Sequence, residues 1–226
     1  MTMVPFRYRN RSDAGKHLAE SLAGYANSPK TLVLALPRGG VPVAFEVATR
    51  LHARLDAYVV RKLGVPGHEE LAMGAVAGDG TVVLDDRLIA ALGVTRDQFE
   101  DVVRCELEEV HRREEAYRNG RPEPEVSRKI VIVVDDGLAT GSTMRAAAIA
   151  LRRRAPASIV IAVPTAAPRT CEELKSVADE VVCPYTPEPF YAVGLYYDDF
   201  RQTADDEVRA LLSQAATLEA RRWSVA

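Results

Sequence analysis

The chain has 226 residues, 47% of them hydrophobic and 27% charged, which suits a globular fold with a core large enough to need no disulfides. Its 29 basic and 32 acidic residues leave a formal net charge of −3, so neither a nucleic-acid nor a membrane partner is implied. No apolar leader opens the sequence and no stretch reaches the length of a membrane span, which sets the expected location as the cytoplasm.

Hydrophobic runs alternate with helical patterns from end to end, the signature of an α/β fold with a mostly parallel sheet flanked by helices. Ser12 is positioned to cap a first helix running to about Ala26, with Leu18, Leu22 and Tyr25 inward. TLVLAL (31–36) reads as a strand, PRGG (37–40) breaks it, and VPVAFEVATRL (41–51) reads as a helix with Pro42 in its first turn. DAYVVRK (56–62) reads as the next strand. Residues 63–74 read as loop, and Gly78-Asp79-Gly80 as a hairpin turn between MGAVA and TVVLD.

Thr95-Arg96-Asp97-Gln98 matches a capping box and starts a long charged helix to about Arg118, stopped by the prolines at 122 and 124. KIVIVV (129–134), SIVIAVP (158–164) and EVVC (180–183) complete the strands, with helices between them. YTPEPFYAVGLYYDDF (185–200) is rich in proline and aromatics and precedes a C-terminal helix. The three cysteines, Cys105, Cys171 and Cys183, lie far apart without CxxC spacing and read as reduced, buried thiols. One domain over 1–226 is expected, with 63–94 as a mobile loop and hairpin region, 95–119 as an inserted long helix and 185–200 as a small hood.

The richest stretch is IVIVVDDGLATGST (130–143). In an open parallel sheet, ligands sit beyond the carboxyl ends of the strands, where Asp135 and Asp136 fall. Gly137 through Thr143 then leads into a helix N-terminus, whose unpaired N–H groups and dipole attract a phosphate. Gly141 permits close backbone approach, and Thr140, Ser142 and Thr143 offer hydroxyl donors. Two carboxylates beside a monophosphate cradle suit a sugar phosphate, although either aspartate could serve merely as a helix cap.

This string resembles the 5-phosphoribosyl 1-diphosphate (PRPP) motif of the type I phosphoribosyltransferases. The resemblance implies a Rossmann-like fold with a hood. It assigns Asp135 and Asp136, both ionised, to the ribose hydroxyls, and Ala139, Thr140, Gly141, Ser142 and Thr143 to the 5′-phosphate. LPRGGVP (36–42) is similar to the family's pyrophosphate loop, which brings in Arg38, Gly39 and Gly40 and implies a cis peptide between Pro37 and Arg38. VVRKLGVPG (59–67) resembles the strand end and mobile loop of adenine-type members and would set Arg61 and Lys62 near pyrophosphate.

PEPFYAVGLYYDDFR (187–201) is similar to the hood of hypoxanthine-type members, and Phe190 is the candidate for stacking on an acceptor base. Phe190, Tyr191, Tyr196 and Tyr197 could equally be core or dimer-interface aromatics. Ala139 stands where 6-oxopurine enzymes carry an aspartate, so the acceptor stays open. The resemblance thus implies a Mg²⁺-dependent transfer of phosphoribosyl from PRPP to a nitrogen nucleophile with release of pyrophosphate, by a homodimer. A non-catalytic PRPP- or nucleotide-binding regulator is the alternative.

Overall fold

The computed structural model describes residues 6–223; the remaining ends of the expected single domain lie outside the described residues. In chain order, α1 (Arg11–Ser21) precedes β1 (Thr31–Ala35), α2 (Gly40–Leu51) and β2 (Arg54–Ala57). There follow β3 (Val60–Val65), β4 (His68–Ala77), β5 (Val82–Leu84), α3 (Asp86–Leu92) and α4 (Arg96–Arg118). The chain continues through β6 (Ile130–Val134), α5 (Ser142–Arg153), β7 (Ser158–Ala162), α6 (Pro168–Leu174), β8 (Glu180–Val182) and α7 (Asp205–Trp223).

Five strands form a sheet in the order β2-β1-β6-β7-β8, parallel throughout. Its central strands are buried on both faces, as their unbroken apolar runs require. Val33, Ala35, Ile132 and Val134 meet α1, α2 and α7 on one face. Leu32, Leu34, Val131 and Val133 meet α5 and α6 on the other. The connection through α2 leads outward from β1 to β2, while that through α5 leads the opposite way from β6 to β7. The order therefore reverses between β1 and β6, and a crevice opens beyond their carboxyl ends.

The second sheet corrects the expected loop at 63–74, because β3 and β4 pair antiparallel from Val60 to Ala77 and β5 adds a third strand. Leu63, Val65, Met73 and Val76 are buried in the main core. The run 63–94 is thus a packed β-unit followed by α3, which Asp85 caps by accepting from the Leu88 amide at 3.0 Å. The single strand expected at 56–62 is two, since the chain leaves the parallel sheet after Ala57 and enters the second sheet at Val60.

The first helix is capped by Asn10, whose side-chain carbonyl accepts from the Asp13 amide at 2.9 Å, and not by Ser12, which hydrogen-bonds Glu46 instead. It ends at Ser21, ahead of a 3₁₀ turn over Ala23–Tyr25. The capping box at Thr95 and Gln98 forms as expected. The fold pins α4 down through charge as well as apolar packing. Asp56, only 1% exposed, lies 3.5 Å from the Arg118 guanidinium, which also pairs with Glu114 at 3.2 Å. Burial raises the carboxyls of Asp56 and Glu114, and Arg118 offsets only part of that rise. Cys105 is exposed on α4, contrary to the buried position expected of it.

Candidate functional site

The crevice between β1 and β6 is built from two loops that touch. After β1, the Leu36 amide donates to Val134 O at 2.9 Å, which prolongs the pairing with β6. The Pro37–Arg38 peptide is cis, and the Gly40 amide returns to Leu36 O at 3.1 Å. A side chain on Gly39 would place its Cβ 2.0 Å from Asp136 Oδ2, and one on Gly40 would lie 2.9 Å from Asp135 Cα. Both glycines are therefore required by contact with the acidic pair.

The two aspartates sit in unequal electrostatic surroundings. Burial and the charge of Asp136 push Asp135 well above the usual carboxylate range. Burial raises Asp136 as well, but Arg11 draws it down by donating from Nε to Oδ2 at 2.8 Å. With the guanidinium bound directly to Asp136, the negative charge of the pair settles there and Asp135 holds its proton more tightly. Asp135 is thus the harder of the two carboxyls to ionise.

Arg11 is itself locked. Its Nη1 donates to Arg201 O at 2.6 Å, and its guanidinium lies 4.0 Å from the centroid of the Phe200 ring. Tyr197 donates its hydroxyl to Asp136 O. These residues come from the first helix and the 185–200 segment with its flank, and the sequence reading named neither Arg11 nor the role of Tyr197.

Beyond the aspartates, residues 139–143 wrap the start of α5. Gly141, at φ +69°, takes the left-handed conformation that glycine adopts freely, and no side-chain hydrogen bond caps the helix among the described residues. In this loop Ala139, Thr140, Ser142 and Thr143 are exposed. Thr170 on α6 braces the loop, donating from Oγ1 to Ala139 O at 2.6 Å. Exposed hydroxyls and an uncapped helix start make this loop chemically suited to a phosphate.

The structure thus gathers Asp135, Asp136, Gly39, Gly40 and the 139–143 loop at one crevice. Arg38 leans toward α7, with Nη1 3.9 Å from Asp205. Arg61 is drawn off to α4, where Nε meets Glu106 at 2.6 Å. Lys62, on the opposite side of β3, lines a recess with Ser142 and Thr143. Phe190 stacks on Tyr196, centroids 5.1 Å apart, so one of its faces is already covered.

Residues 7–199 match the model of the phosphoribosyl transferase domain, and the chain belongs to that family. It is 45% identical over 208 residues to two Mycobacterium tuberculosis proteins named "Putative phosphoribosyl transferase Rv0571c" (strain H37Rv) and "Putative phosphoribosyl transferase MT0597" (strain CDC 1551). The match covers 92% of this chain and 47% of either relative, so the chain spans about half the length of the curated relatives it matches. The crystal structure of the protein TT1426 from Thermus thermophilus shares 41% identity, with a TM-score of 0.81 over 92% of this chain and 99% of that one. No helix among the described residues is long and apolar enough to cross a membrane.

Proposed function

We propose that the chain transfers the 5-phosphoribosyl group of PRPP to a nitrogen nucleophile, releasing pyrophosphate. The observation that carries this reading is the contact of Gly39 and Gly40 with Asp136 and Asp135, which joins a loop suited to pyrophosphate to a pair suited to a ribose diol. In this reading the 5′-phosphate lies on the amides and hydroxyls of residues 139–143. Asp135 and Asp136 accept from the ribose hydroxyls and face the positive charge that develops at C1′ as the bond to pyrophosphate breaks. The backbone of Gly39 and Gly40, with Arg38 and Lys62, steadies the leaving group.

Mg²⁺ fits the donor set. Among the described residues no group of three or more His, Cys, Asp or Glu forms a cage for a cation. Two carboxylates beside a pyrophosphate subsite are the arrangement in which Mg²⁺ takes its remaining ligands from substrate and water. When bound there it neutralises charge on the leaving group. Phe190, with one face covered by Tyr196, offers only its other face to a planar acceptor.

One observation favours the alternative of a PRPP- or nucleotide-binding regulator without turnover: Arg61 is held by Glu106 on α4 rather than turned to the crevice. A homodimer in the cytoplasm belongs to the leading reading. The test is a screen for pyrophosphate release from PRPP–Mg²⁺ across nucleobases and small amines, run beside a thermal-shift titration. Release with one acceptor supports transfer. Stabilisation without release supports the regulator, and no shift at saturating PRPP–Mg²⁺ overturns both.

A further inference from the structure

The recess that Lys62 shares with Ser142 and Thr143 lies between the second sheet and α5. It encloses about 590 Å³, within the range of about 300–1,000 Å³ typical of small-molecule sites. Ser142, Ala146 and Ile149 recur at helical spacing and form its α5 wall. At about 1.5 Å per residue, that wall runs about 10 Å from the phosphate loop. Ala72, Gly74 and Ala75 of β4 contribute only small side chains to the sheet wall. Gly74 cannot carry a larger one, because a Cβ would lie 2.4 Å from Val83 O. Leu84 of β5, 40% exposed, and the half-buried Val83 and Ile149 leave apolar surface bare to the recess.

The charge of the recess is one-sided. Among the described residues that line it, Lys62, Arg87 and Arg145 face a single acid, Asp85. Asp85 is already committed to the cap of α3 through the Leu88 amide. Arg145 donates to Glu173 O at 3.0 Å and to Ser176 Oγ at 3.2 Å, and neither neutral acceptor cancels its charge. Bare apolar surface beside hydroxyls and surplus positive charge suits an anion with an apolar body.

We propose that this recess is a second ligand site, for an aromatic phosphate monoester, and that its occupant excludes the 5′-phosphate of PRPP. The phosphate lies at the Ser142 and Thr143 hydroxyls, within the field of Lys62, Arg87 and Arg145. The ring lies along Ala146 and Ile149, against the small residues of β4. Two hydroxyls and three cations match the charge and the acceptor oxygens of a phosphate dianion better than those of a carboxylate. Exclusion follows because two phosphates cannot share the same hydroxyls, and their charges repel at that distance. An effector seated there lowers the affinity for PRPP without entering the crevice. The exclusion rests on the assignment of residues 139–143 to the 5′-phosphate, whereas the site stands without it.

The probe is 1-naphthyl phosphate, which has no ribose diol through which Asp135 and Asp136 could hold it. Calorimetry on the whole chain is expected to show one site, with inorganic phosphate binding about tenfold more weakly. Leu84→Glu, which replaces bare apolar surface by a like charge, is expected to weaken the probe about tenfold. Arg87→Ala, at an exposed position that keeps the fold, is expected to weaken it about threefold. Saturating PRPP–Mg²⁺ is expected to raise the apparent Kd of the probe about tenfold or more. No binding of the probe at millimolar concentration overturns the site. Equal affinity for inorganic phosphate overturns the aromatic occupant, and unchanged binding in both variants places the probe elsewhere and overturns the site as well. A probe indifferent to bound PRPP–Mg²⁺ overturns the exclusion. Failure of the protein to bind PRPP–Mg²⁺ at all refutes the phosphate-loop assignment, and the probe titrations still decide the site.

Discussion

Gly39 sits so close to Asp136 that a Cβ would lie 2.0 Å from the carboxylate oxygen. The loop after β1 and the acidic pair after β6 therefore cannot be tuned independently. Gly39→Ala must push Asp136 off Arg11 or lift the loop. Because a misplacement of about 1 Å at a reacting centre costs on the order of 10²-fold, phosphoribosyl transfer should fall by about that factor. Circular dichroism should show the fold retained, and activity within about twofold of the unaltered protein would refute the crowding argument.

Asp135 should report its raised pKa through stability. A carboxyl whose pKa lies higher in the folded than in the unfolded chain contributes stability that is complete below the unfolded value and lost as pH rises through the folded value. Asp135→Asn should therefore melt higher than the unaltered protein at neutral pH, with the gain vanishing on acidification. The same variant should lose PRPP-dependent turnover. Melting curves across pH and a pyrophosphate assay check the two halves separately.

Binding of PRPP–Mg²⁺ beside Asp135 should expel its proton, because a cation favours the carboxylate. Affinity should then rise with pH above the usual carboxylate range and level off once Asp135 is ionised in the free protein. Calorimetry in buffers of different ionisation enthalpy measures that proton directly, and an uptake of protons would contradict the scheme.

Arg11 should act as a positioning residue for Asp136, to which it donates at 2.8 Å. Without its charge the Asp136 carboxyl rises further, so Arg11→Ala should shift the acid limb of PRPP binding toward higher pH. Arg11→Lys should restore part of that shift by supplying the charge without the planar fork. A lower affinity with an unmoved pH profile would assign Arg11 a packing role alone.

Arg118→Met should be costly to folding. It leaves Asp56 and Glu114 in the core without their shared cation. Breaking a buried ion pair from one side typically costs about 3–5 kcal/mol. Urea denaturation should show a loss of that order, and a loss below about 1 kcal/mol, typical of exposed pairs, would mean that water reaches the cluster.

Much of the crevice was legible in local sequence because its parts are contiguous. Five apolar residues, two acids and a run of glycine and hydroxyl residues announce a strand end and a helix start within IVIVVDDGLATGST, and PRGG announces its partner loop. The region 63–74 misled because it mixes glycines, a proline and charges. Its strand pairing is set by burial of Leu63, Val65, Met73 and Val76 against a core assembled from elsewhere.

The amino-acid sequence by itself determined the parallel α/β architecture and the chemistry at the ends of β1 and β6, since period, apolar runs and backbone permissiveness are properties of neighbouring residues. Only the tertiary structure decided which charges meet. Arg11 reaches Asp136 across 125 positions, and Arg61 turns to Glu106 and not to the crevice. Electrostatic pairing depends on distance in space and on burial, and neither quantity exists until the chain has closed on itself.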